Sequence, residues 1–89
     1  MPGPPFPPGM SRNDFGSRVM EWGTGYNSAL DRRASITRDW LIDHGVTLEI
    51  AEEWKRFYDE VYTANPSNLS AAGRAVLLEH CIALLHRRD

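Results

Sequence analysis

Arg74 stands where an apolar residue is expected. On a helical wheel of the last segment it falls among Leu77, Leu78 and Cys81, inside the apolar arc. A cation in the first turn of a helix also opposes the helix dipole. Two readings follow. Either the guanidinium reaches past the helix end to water, or it pairs with a carboxylate or a ligand in a partly buried site. A planar fork of N–H donors suits carboxylate and phosphate. The turn Trp22-Gly23-Thr24-Gly25 is the second candidate. Its glycines permit the close backbone approach that an anion-binding turn needs, and equally a helix stop with an anchoring tryptophan. Tyr58 and Tyr62 lie on an apolar stripe, so their rings belong to a core and their hydroxyls reach its edge.

Other chemistry has little support. His44, His80 and His86 form no HxxxH or HExxH pattern, and His80 and His86 point roughly 120° apart on a helix. With Cys81 as the single cysteine, no zinc site of familiar spacing and no intrachain disulfide is expected. No metal or cofactor is expected. There is no GxSxG, Cys–His or Walker pattern, and whether the chain is an enzyme stays open.

These residues must be held by helices. Residues 47–66, TLEIAEEWKRFYDEVYTANP, read as the longest helix, at about 48–64. Thr47 caps it. Ile50, Ala51, Trp54, Phe57, Tyr58, Val61 and Tyr62 fall in an arc of roughly 140°. Asn65-Pro66 stops it, because a residue before proline avoids helical geometry. Glu52–Arg56 and Lys55–Asp59 are the expected i,i+4 pairs. Ser11 caps a first helix with Asp14 in the manner of a capping box, followed by Phe15, Val19 and Trp22; Gly23 and Gly25 end it. A second helix is expected over 26–34, with Tyr26, Ala29, Leu30 and Ala34 as its apolar set. Thr37 caps a third over 38–44, closed by Gly45. Ser70 caps a last helix from Ala71 to about Arg87, whose face is Leu77, Leu78, Cys81, Ile82, Leu84 and Leu85. No segment alternates with period two. The expectation is an all-α domain of four to five helices with short turns over residues 11–89. Residues 1–10, which hold five of the six prolines, are expected to be a disordered proline-rich tail or linker.

At 89 residues the chain is one small domain. Its net charge of -2 gives no general pull toward nucleic acid or anionic lipid. The charge is uneven. Arg12, Arg18, Arg32, Arg33 and Arg38 dominate the first half, and Asp39, Asp43, Glu49, Glu52, Glu53, Asp59 and Glu60 dominate the middle. Ion pairing between the halves is the simplest expectation. Residues 37–62 could be laid out as a helix-turn-helix, but its second helix would present Glu49, Glu52 and Glu53 to phosphates, which repels DNA. The apolar run 75–85 is broken by Glu79, His80 and Cys81 and is too short for a membrane span, so no membrane partner is expected.

One pattern of residues adds a family. Phe15, Val19-Met20, Trp22-Gly23-Thr24-Gly25, Gly45-Val46-Thr47, Ala51, Trp54, Phe57-Tyr58, Asn65-Pro66, Asn68 and Ser70-Ala71-Ala72-Gly73-Arg74-Ala75 resemble a small C-terminal toxin domain of bacterial polymorphic toxins, of the Rhs and PAAR type. The resemblance spans about residues 11–87. It implies an antibacterial effector acting on an intracellular target, carried on a larger secreted polypeptide of type VI or contact-dependent secretion. It also implies delivery into a target bacterium and a cognate immunity protein. Where this pattern meets the physical oddities, the candidate binding residues are Trp22, Trp54, Tyr58, Asn65 and Arg74. The alternative is a non-enzymatic helical docking module working in the cytoplasm, supported by the lack of a catalytic constellation and by the acidic face of the main helix.

Overall fold

Helix α4 (Leu48–Ala64) starts where Thr47 turns its hydroxyl onto the Ile50 N–H at 3.2 Å. That bond satisfies an N–H left free at every helix start. Helix α5 (Leu69–His86) follows after a short turn, so the two fold back on each other and pack more extensively than any other pair. Helix α2 (Tyr26–Arg32) crosses α5, and α3 (Arg38–Asp43) touches it too. The short α1 (Arg12–Asp14) runs straight into a wide π-helical segment, Phe15–Met20. The structure is a computed structural model and describes residues 4–7 and 9–86. Among the described residues there are helices and no strands, as the all-α expectation has it.

The core draws on every element except the short α1. Phe15, Val19, Met20, Leu41, Trp54, Leu77, Leu78 and Cys81 are sealed from solvent. Phe15 stacks on Trp54 at 5.1 Å, Trp22 leans on Trp54 at 5.8 Å, and Tyr58 meets both tryptophans within 5.9 Å. Burial pushes the Cys81 thiol up to about 12 against a smaller opposing pull from Arg32, so at neutral pH it is a packing group rather than a nucleophile. By length and composition α5 is long and apolar enough to cross a membrane. In this fold it is the central packing helix, with Leu77, Leu78 and Cys81 fully buried.

Several local expectations change. The second helix ends at Arg32 rather than 34, because the Arg32 carbonyl takes the N–H groups of Ser35 and Ile36 and turns Ile36 into the core. Ala34 is therefore exposed, and Tyr26 packs through its backbone with its ring outside. Asn68, not Ser70, caps α5, accepting from the Ala71 N–H at 3.1 Å. Ser70 is occupied elsewhere: its hydroxyl accepts from the Gly25 N–H at 2.7 Å. Arg56 pairs with Glu53 at 2.8 Å instead of Glu52, while Lys55–Asp59 forms as expected at 2.6 Å. Pairing between the basic and acidic halves is absent among the described residues. Arg18 pairs with Asp14 one helical turn away and Arg32 with Glu21, each inside its own half. The C-terminal arginines lie outside the described residues.

The proline segment also differs from a free tail. Its described residues, 4–7, 9 and 10, form no helix or strand, as proline dictates. Yet Pro7 is buried, and the Pro5 carbonyl accepts from the Trp54 indole N–H. A buried indole donor needs an acceptor, and this segment supplies it.

Candidate functional site

The first helical segment ends in strain. Glu21 is left-handed with φ 49°, followed by Gly23 at φ 57° and Gly25 at φ 93°. Only the glycines adopt such backbone freely. The carbonyls left open by the end of the π-helical segment are taken by two side chains. Arg32 donates from Nε to the Met20 carbonyl at 3.1 Å and from a terminal nitrogen to Val19 at 3.0 Å, and the Trp40 indole also donates to Val19 at 3.0 Å. A cation at a helix C-terminus is favourable. Arg32 then reaches the Glu21 carboxylate at 3.2 Å. Residues 21–25 are thereby held as a lip, tied on the far side by Ser70 and Arg74.

Behind the lip lies a pocket of about 620 Å³. Trp22, Trp54 and Tyr58 wall it, and Arg12, Asn13, Ser17, Glu21, Thr24 and Arg74 bring polar groups to it. Gly16 makes room for the indole: a Cβ there would come 2.9 Å from Trp22 Nε1. Arg74 lies over Trp22 at 5.2 Å and Tyr58 at 5.5 Å from the ring centres. It donates to the Gly23 carbonyl at 2.6 Å and to the Tyr58 hydroxyl at 3.3 Å. Its Nε is buried and has no hydrogen-bond partner among the described residues. Arg12 lies over Trp54 and Phe57 at 5.9 Å. Neither arginine has a carboxylate within salt-bridge distance among the described residues. The one carboxylate of the pocket, Glu21, is already paired with Arg32.

Four of the five candidate residues, Trp22, Trp54, Tyr58 and Arg74, thus meet in one pocket. Asn65 does not. It sits exposed at the end of α4, where its side chain accepts from the Ser67 N–H at 3.3 Å and shapes the turn. Arg74 is half-buried, has no carboxylate partner among the described residues, and binds a carbonyl and a phenol. Sequence reasoning missed Arg12, Ser17 and Glu21. The signal for Arg12 is the run of first-half arginines, for which ion pairing is the simpler expectation. A second hollow of about 310 Å³ lies by Tyr26, Tyr62 and Val76, but its one cation, Lys55, is neutralised by Asp59. No group of three or more metal-ligating side chains occurs among the described residues.

Fold and pocket together define a small all-α domain with a preformed arginine–aromatic cavity. The chain belongs to the family described as a domain of unknown function, DUF4951, which matches residues 2–85 and so includes nearly all of the proline segment. A protein from Acinetobacter baumannii, solved by NMR, is similar, with 31% identity and a TM-score of 0.79 over 94% of this chain and 81% of that one. No curated protein matches the chain.

Proposed function

We propose that this domain is a non-enzymatic binding module and that the arginine–aromatic pocket receives an anionic group of its partner. The observation that carries this reading is the uncompensated charge. Two guanidinium groups face one cavity, and the one carboxylate lining it, Glu21, is paired with Arg32. Arg74 uses two of its five N–H donors on Gly23 and Tyr58 and keeps a buried Nε–H without a partner. An orphaned buried donor costs about 1–3 kcal/mol, so an acceptor arriving there is rewarded. The volume lies in the usual range for small-ligand pockets of roughly 300–1,000 Å³.

The test is a titration of the whole chain with benzoate, and in parallel with inorganic phosphate, followed by the Trp22 indole and Arg74 Nε–H resonances. Saturable shifts are expected. Arg74→Gln should weaken binding at least about tenfold, since a charge-assisted hydrogen bond is worth about 1.5–3 kcal/mol. Arg33→Gln, at an exposed arginine outside the pocket, serves as the control. Equal responses from both variants would remove the pocket from the proposal.

A second reading is the antibacterial effector that the sequence resemblance implies. It is favoured by one fact: Trp22, Gly23, Thr24, Trp54, Tyr58 and Arg74, all part of that resemblance, line the pocket. The matched family carries no assigned function, and none of the comparisons names a toxin. Under this reading, expression in the bacterial cytoplasm arrests growth and Arg74→Gln relieves the arrest. Normal growth with soluble wild-type protein would eliminate the effector and leave the binding module.

A further inference from the structure

We propose that Trp54 and Gly45 line a groove that recognises proline-rich segments, that residues 4–7 occupy it as an internal ligand, and that a proline-rich segment of a partner protein displaces them. The contacts are those of recognition rather than of a loosely collapsed tail. The Trp54 indole N–H donates to the Pro5 carbonyl at 2.5 Å. Phe6 then points outward, 40% exposed, and Pro7 turns inward and is buried. The Pro7 ring lies against Gly45, where an added Cβ would come within 3.3 Å of it. Val46 beside it is buried. The Met10 N–H closes a turn onto the Pro7 carbonyl at 3.2 Å, with Gly9 at φ 79°. The segment therefore gives the Pro5 backbone carbonyl to an aromatic donor and buries one proline ring, that of Pro7.

The chemistry favours proline over other residues. Proline lacks an N–H, so a proline-rich segment offers carbonyls and rings and little else, and it loses little freedom on binding. A groove with an aromatic wall and an indole donor is complementary to those two features. The Trp54 donor is part-buried and must keep an acceptor, so whatever displaces residues 4–7 has to bring a carbonyl to the same point. Tethering gives the internal segment a high effective concentration, which keeps the groove closed until a stronger or multivalent partner competes. Trp54 also walls the arginine–aromatic pocket, so exchange at the groove is felt there.

The experiment follows the Trp54 indole resonance in the full chain. Pro7→Asp places a charge in the apolar groove and should move this resonance to the position of an unbound indole. Gly9→Val is the second variant. Nothing lies within 4 Å of a Cβ at Gly9, so this change strains only the turn that holds the segment. A peptide of sequence PGPPFPPGM, added to either variant, should restore the bound position saturably. Read on the resonances of an isotope-labelled peptide, the wild-type chain should bind it at least tenfold more weakly than either variant. A resonance that stays in place in both folded variants, or that peptide at millimolar concentration does not restore, would overturn the proposal.

Discussion

Replacing Trp54 with alanine is expected to lower the unfolding free energy by about 3–5 kcal/mol. Trp54 is 1% exposed and is the hub of the aromatic cluster, in contact with Phe15, Trp22, Phe57 and Tyr58. Its removal deletes the largest fully buried side chain and opens a cavity among rings that no neighbouring backbone can fill. It also strips the Pro5 carbonyl of its donor. A domain of this size has about 4–13 kcal/mol in total, so a substantial part of its stability goes with one residue. Urea unfolding of the purified chain measures the loss. Trp54→Phe separates the two contributions, because it keeps a ring in the cluster and removes only the indole donor and part of the volume. The phenylalanine variant should lose about half as much or less. A loss under 1 kcal/mol in the alanine variant would mean that the cluster is not the centre of the core.

Most of the frame was legible because each part rested on a local rule. Thr47 and Pro66 bounded α4 through a cap and a backbone restriction, and Gly45 closed α3 at φ 77°. The aromatic stripe of α4 was found by period, although only its first part is deeply buried: Tyr62 at the far end is 39% exposed. Arg74 stood out because a cation lay in an apolar arc. Trp22, Trp54 and Tyr58 were named, but their meeting with Arg74 was not deducible from spacing. It depends on the π-helical segment, which shifts residues 15–20 off the 3.6-residue wheel, and on the left-handed turn at Glu21. The same two features bring Arg12 and Glu21 to the pocket. The choice of Asn68 over Ser70 as cap was also beyond local rules, because both are capping types and a long-range N–H from Gly25 decides between them. The proline segment failed for a related reason. Proline forbids a helix, but whether its carbonyls are used depends on a donor some 49 positions away in the chain.

Gly73→Ala is expected to destabilise the protein by about 2 kcal/mol, although the position lies inside helix α5. The two effects oppose each other. Alanine is favoured over glycine inside a helix by about 1 kcal/mol. Against this, a Cβ at residue 73 would lie 2.6 Å from the Tyr26 carbonyl oxygen, 3.0 Å from its Cα and 3.2 Å from its carbonyl carbon. All three are backbone atoms, so no rotamer change relieves the contact and α2 must move off α5. Overpacking of this kind costs about 1–3 kcal/mol, and a contact this short with rigid backbone belongs at or beyond the top of that range. The clash therefore wins. Thermal unfolding should show a fall of roughly 10 °C for a domain of this size. The displacement also reaches the pocket, because the same crossing carries the Gly25 N–H to Ser70 and the Gly23 carbonyl to Arg74. If α2 shifts, the lip of residues 21–25 shifts with it and Arg74 loses its 2.6 Å anchor. The proposed anion binding should weaken in Gly73→Ala below its midpoint temperature, where the chain is still folded. A stabilised Gly73→Ala variant would show that the crossing is loose enough to yield, and that the lip is not held by it.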